Sequence, residues 1–275
     1  MVFVKYVLII LIALIVIWPV YWLVQGSFQD HWGVFSIPHT FFPTGLHLRN
    51  YKAILSGGYN LKWLSNTLIV VSVQSTLVLL MCASAGMAFA LYEFPGKKIV
   101  FWAFFSTVMI PGKSILIGKF IVMRALGLGG TIWAAIIPVM FYAMGILLFR
   151  TFVEELPPEI VDQARIDGAG ETRILTKIIM PLTVPVSGVV VLFTSLGALS
   201  NYLWQAIVLQ KMELKTLLVG MIVRMNSNRL TWEPLLDPLG MRMAAGCIIL
   251  IPSLLIFIFC NKLFIREMRL GALIK

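Results

Sequence analysis

Six apolar stretches, each near the ~20 residues a helix needs to cross a bilayer, dominate this chain. They lie at about Lys5–Gly26, Leu64–Leu91, Ile99–Val122, Thr131–Phe152, Val184–Leu209 and Met241–Phe264. The expected fold class follows: all-α, a polytopic membrane protein with about six transmembrane helices. Composition agrees, since 12% charged residues in a chain 60% hydrophobic is about half the charge of a soluble domain. The first run, Tyr6 to Val24, is longer than the apolar core of a signal peptide, and no Ala-x-Ala-like site follows it. A retained helix is expected there. Cys82, Cys247 and Cys260 all fall within apolar stretches, neither a disulfide framework nor a metal cluster, and read as small packing residues.

The formal net charge of +10 suggests nucleic acid only superficially. The basic residues sit in loops and flanks, where they fix topology. The short EFPGKK turn and the basic tail favour cytoplasmic N- and C-termini. On that topology residues 1–63 are a first transmembrane helix with a long external loop, and residues 64–275 a transmembrane core containing an internal loop at 150–183.

The internal loop is the most informative polar segment. Pro157–Pro185, PPEIVDQARIDGAGETRILTKIIMPLTVP, is too polar to cross lipid and too patterned for a linker. Pro157 and Pro158 suit a helix start, where an amide has no partner. Glu159 and Asp162 then oppose the helix dipole. The helix is expected to run to about Asp167 and to stop at Gly168, the residue best able to take a left-handed conformation. Ala164 and Gly168, four apart, share a bare face that another backbone or a groove can approach. A second helix is expected over Glu171–Met180, with an apolar stripe of Ile174, Leu175, Ile178 and Ile179. Pro181 and Pro185 then stop it and turn the chain into the next span. The pattern fits a handle for a partner, or a surface-lying segment with none.

One spacing in this loop is specific. Asp162-Gln163-Ala164, then Gly168, then Ile178-Ile179-Met180-Pro181 resembles the Glu-Ala-Ala…Gly…Ile-x-Leu-Pro signature of binding-protein-dependent ABC transporter permeases, with Asp for Glu, Gln for Ala and Met for Leu. Ala164–Ala169 is similar to the carbohydrate-uptake form of that signature. Trp63–Leu68 (WLSNTL), Met109-Ile110-Pro111, Asn201–Trp204, Pro252 and Arg269-Leu-Gly-Ala resemble further family positions. The resemblance implies a type I importer permease fold whose loop is a coupling helix seated in a cytoplasmic ATPase. Its docking residues would be Glu159, Asp162, Gln163, Ala164, Arg165, Asp167, Gly168, Ala169, Ile178 and Pro181.

The resemblance also implies import of a sugar or oligosaccharide by ATP-driven alternating access, across the bacterial inner membrane. The expected partners are a second, different permease chain, two cytoplasmic ATP-binding subunits, an extracytoplasmic solute-binding protein and membrane lipid, with no nucleic acid. ATP and Mg would belong to the ATPase subunits, leaving this chain non-catalytic and without a cofactor. Glycerol phosphate, a peptide or an amino acid are alternative solutes. An ion-coupled secondary transporter is a rival class, but it needs ionisable groups deep in the membrane.

Other signals weigh less. Gly112-Lys113-Ser114 mimics the end of a phosphate-binding loop, but Thr107 stands where its first glycine belongs and the setting is apolar. His31, His39 and His47 share one loop without other ligand types nearby, and are expected to be surface residues. Asn66, Asn201, Tyr202, Trp204 and Gln205 place polar or aromatic groups inside apolar stretches. They line a solute path or make interhelical hydrogen bonds. Pro111-Gly112-Lys113 either breaks the third span or, more cheaply, ends it at the outer edge.

Overall fold

The computed structural model describes residues 2–29, 41–42, 45–56, 58–227 and 238–271. Among them all regular structure is helical. The helices are α1 (Val2–Ser27), α2 (Arg49–Leu55), α3 (Asn60–Leu91), α4 (Lys97–Ser106), α5 (Leu116–Ala125), α6 (Ile132–Ile136), α7 (Ala143–Glu154), α8 (Pro158–Ile166), α9 (Glu171–Ile174), α10 (Met180–Leu182), α11 (Val184–Ser200), α12 (Tyr202–Val208), α13 (Leu217–Ser227) and α14 (Pro238–Gly271).

Among the described residues three segments are single helices long and apolar enough to cross a bilayer: Val4–Ser27, Asn60–Leu91 and Leu239–Cys260. Two further candidates are bent pairs, Ile132–Val139 with Ala143–Glu154 at 49°, and Glu171–Leu182 with Val184–Ser200 at 84°. These five cover five of the six expected stretches. The other, Ile99–Val122, is not one helix. After α4 a 3-10 turn runs over Thr107–Met109, Ile110 is extended (φ −85°, ψ 117°), and α5 begins only at Leu116. The cause is local: a residue before proline is pushed out of the helical region, and Pro111 has no amide to continue the ladder. The break falls between Met109 and Leu116, so the stretch Ile99–Val122 is two short helices.

The chain divides into two compact units, Met1–Leu64 with Leu217–Ser253, and Ser65–Thr216 with Leu254–Lys275. In the first unit Ile54, Trp63, Leu217, Met221, Met241 and Ala245 form the core. Gly220 is required there: a Cβ would lie 2.2 Å from the Trp63 ring. Arg224 donates to the Ala53 carbonyl (3.1 Å) and to Ser56 Oγ (2.8 Å), tying α13 to α2. Helix α1 contributes almost no core. None of its apolar window is buried, and Ile15 is 72% exposed. A soluble protein does not leave a contiguous apolar surface of that size bare; lipid is its natural cover.

In the second unit α3, α7 and α11 pack closely. Val78, Cys82, Ala83, Phe89, Ile146, Phe149 and Val190 make one core cluster, and Ser75 and Ser195 share a buried hydrogen bond of 2.9 Å. A Cβ on Gly86 would sit 2.4 Å from that of Phe149, so the contact needs glycine. Cys82 is buried as a free thiol in this cluster, a packing residue as expected.

Candidate functional site

The Pro157–Pro185 segment forms the first candidate site. Helix α8 starts where the prolines place it, with Pro157 as N-cap and Pro158 as the first helical residue. It ends in a glycine turn. Asp167 is the C-cap and Gly168 takes φ +78°. The Ala169 amide donates to the Ala164 carbonyl at 2.9 Å, and the Gly168 amide to the Arg165 carbonyl at 3.0 Å. This pair of bonds is the Schellman motif, which satisfies two carbonyls that a helix end leaves orphaned. A Cβ on Gly168 would meet nothing within 4 Å. The glycine is thus needed for its dihedral angle and not for close approach.

The bare face is oriented differently from expectation. Ala164 is buried with Val161 in the chain's own core, against Met87, Val153, Ile174 and Ile179. Ala169 and Ile178 are half-buried on the same cluster. The small residue at position 164 therefore lets α8 settle on its own chain. Glu159, Asp162, Gln163, Arg165, Asp167, Gly168 and Pro181 are exposed. Ile166, absent from the expected set, is 84% exposed. An isoleucine in that position on an otherwise polar face is the signal that identifies it.

A clamp holds the loop. Arg165 Nε lies 3.2 Å from Glu171 Oε1, Tyr92 at the end of α3 donates its hydroxyl to Glu171 Oε2, and the Arg165 guanidinium sits 5.5 Å from the Tyr92 ring centroid. The phenol hydrogen bond, followed by the Arg165 guanidinium, holds the Glu171 carboxyl below its ordinary value. Burial and the bond to the Glu171 carboxylate raise the Tyr92 phenol. The clamp thus joins the end of α3, α8 and the lever that follows.

That lever is also not what the prolines alone predict. Residues Leu175–Ile179 form a π-helical turn, with the Met180 amide donating to the Leu175 carbonyl. Pro181 is accommodated inside α10 and does not stop it. A widened turn relieves the clash that a proline ring makes with the carbonyl four residues back. The 84° bend follows at Thr183, and Pro185 lies in the first turn of α11. The lever therefore runs unbroken from Glu171 to Leu182.

The second candidate site lies at a helix break. Asn201 takes φ −79° and ψ 56°, an inverse γ-turn geometry, between α11 and α12. Gln205 repairs this break: its amide donates to the Ala198 carbonyl at 2.7 Å, and its oxygen accepts from Thr216 Oγ1 at 2.6 Å. Trp204 Nε1 donates to the Ala134 carbonyl at 3.0 Å. Asn66 donates to the carbonyls of Glu213 (2.8 Å) and Lys215 (3.0 Å). Asn66 and Gln205 are buried and hydrogen-bonded within the protein, and Trp204 is 4% exposed. Asn201 and Tyr202 are half-buried and line a cavity of about 530 Å³ with Gly112, Lys113, Leu116, Lys119, Val139, Ser200, Leu203 and Trp204. Of the histidines only His47 lies among the described residues, His31 and His39 being outside them.

Comparison with known proteins gives consistent relatives. The chain is 29% identical over 263 residues to the arabinooligosaccharides transport system permease protein AraQ of Halalkalibacterium halodurans, covering 94% of this chain and 92% of the relative. It is 28% identical over 279 residues to the galactooligosaccharides transport system permease protein GanQ of Bacillus subtilis, covering 97% and 93%. Its fold is similar to that of a chain in the crystal structure of a bacterial ABC transporter involved in the import of the acidic polysaccharide alginate, with a TM-score of 0.80 at 20% identity, covering 94% and 95%. The model of the binding-protein-dependent transport system inner membrane components matches residues 81–270, a span that holds the elbow, the lever and both helix breaks. The chain belongs to that family.

Proposed function

We propose that this chain is a membrane subunit of an ATP-driven importer for a sugar or oligosaccharide, working by alternating access. The observation that carries the reading is the elbow. A helix fixed at both ends, packed on its own core through Val161 and Ala164, presents Glu159, Asp162, Gln163 and Ile166 outward. A cytoplasmic ATPase gripping that face displaces a rigid body, and the clamp and lever pass the displacement to α11. The chain itself is the non-catalytic part; ATP and Mg belong to the two ATPase subunits. A second permease chain, different from this one, completes the pathway, and a binding protein delivers solute from outside. Both termini are cytoplasmic and the membrane is the bacterial inner membrane. The solute class rests on the names of the relatives, which are permeases for arabino- and galacto-oligosaccharides.

Reconstitution of the complete transporter in proteoliposomes tests this. Uptake that requires ATP hydrolysis and the binding protein, and that survives collapse of ion gradients, is expected. Uptake abolished by an ionophore yet indifferent to ATP would replace the reading with an ion-coupled one.

A further inference from the structure

The cavity at Asn201 is built from two interruptions of apolar helix. One is the break between α4 and α5, which supplies Gly112 and Lys113; the other is the Asn201 break, which supplies Ser200 and Tyr202. Irregular backbone at membrane depth is tolerated where it is buried in protein or lines a water-filled cavity, and discontinuous helices build the solute sites of several transporter folds. Lys119, on α5, lines the same cavity and is half-buried. Lys113 and Lys119 lie in an otherwise apolar stretch of the chain, where an ammonium is costly unless it faces water or a counter-charge. Among the described residues no carboxylate lines this cavity, and neither lysine forms an ion pair or hydrogen bond. The half-buried Lys119 and the exposed Lys113 therefore both line a space whose other polar groups, Ser200, Asn201 and Tyr202, suit hydroxyl-bearing ligands.

We infer that the transported solute carries an acidic group, a sugar carboxylate or a phosphate ester, and that Lys113 and Lys119 hold it in the cavity while Asn201 and Tyr202 contact its hydroxyls. This rests on the importer reading and narrows its solute class. A neutral saccharide gives the two ammonium groups no counter-charge. An anionic one makes charge-assisted hydrogen bonds to them, which are stronger than neutral ones.

The test uses the complete transporter in proteoliposomes, supplied with digalacturonate, galactobiose, glycerol 3-phosphate and glycerol as separate probes. ATP-dependent uptake of one of the two anions, and not of its neutral counterpart, is expected. Digalacturonate would identify the group as a carboxylate and glycerol 3-phosphate as a phosphate. Lys113→Gln/Lys119→Gln should lower that uptake about a hundred-fold or more, the loss of two charge-assisted contacts. Lys113→Arg/Lys119→Arg should retain most of it. Recovery of assembled complex is measured alongside, and the single glutamine variants read the same contact should the double variant not assemble. Uptake confined to galactobiose or glycerol, or anion uptake untouched by the glutamine variants, would overturn the acidic-group inference and leave the importer intact. Uptake of none of the four by a complex that hydrolyses ATP would overturn the saccharide reading, and the inference with it.

Discussion

Shortening Ile166 to alanine separates two kinds of apolar contact. Full burial of an isoleucine side chain contributes about 1.5–3 kcal/mol. The residue is 84% exposed, so the part already covered accounts for about 0.2–0.5 kcal/mol of the chain's own stability. If an ATPase groove covers the rest, Ile166→Ala removes about 1–2 kcal/mol from docking, a five- to thirty-fold weakening. The assay is titration of the detergent-purified permease pair with its ATPase on a biosensor, beside thermal unfolding of the permease pair alone. The expected outcome is a weaker Kd with an almost unchanged Tm. A Kd within two-fold of the parent, or a fall in Tm matching the loss of affinity, would refute the reasoning, because Ile166 would then face solvent or its own chain. Val161→Ala should behave the opposite way. Val161 is 3% exposed, so its truncation should lower Tm first.

Three further outcomes follow from the geometry. Gly168→Ala should destabilise the elbow by about 1–2 kcal/mol through its left-handed dihedral, with Gly168→Asn milder and Gly168→Arg little worse than alanine, because no atom lies within 4 Å of a Cβ there; hydrogen exchange at the Ala169 amide measures this. Gln205→Leu should cost about 1–3 kcal/mol for each buried partner it abandons, the Ala198 carbonyl and the Thr216 hydroxyl, read as a lower Tm. Glu171 has a depressed carboxyl, so its contribution is complete above the ordinary glutamate value and fades only as pH falls through the lower folded one. Loop amide protection should therefore be flat from neutral pH down to about 5 and drop below that, and Glu171→Gln should remove this acid dependence. The drop should be small, since the Glu171 side chain is 48% exposed and solvent screens such pairs.

Much of the elbow was legible because its signals are local. Two prolines, a glycine and the charges between them specify where α8 begins and ends. The face it presents was not. A small residue in a helix permits close approach by any neighbour, and only the fold reveals that Ala164 meets Ile174 and Val153 of the same chain. The Tyr92–Glu171 contact joins residues 79 apart in sequence, with no periodicity to announce it. Pro181 misled because proline rules state the cost of a helical proline, while the π turn that offsets it depends on tertiary packing. Asn66, Trp204 and Gln205 carry a polar-in-apolar pattern that serves a solute path and internal hydrogen bonding equally well; their partners lie 147, 70 and 11 residues away. The third expected stretch is broken for a legible reason, the extended residue before Pro111.

The claim on which the account turns is that helix α8 seats on a cytoplasmic ATPase. A photo-reactive amino acid at position 166, activated in membranes containing the whole transporter, addresses it directly. The account predicts a covalent adduct with the ATPase chain, and none when the photo-reactive residue replaces the buried Val161. Adducts at position 166 formed only with lipid or with this chain itself, while the assembled complex hydrolyses ATP, would contradict it.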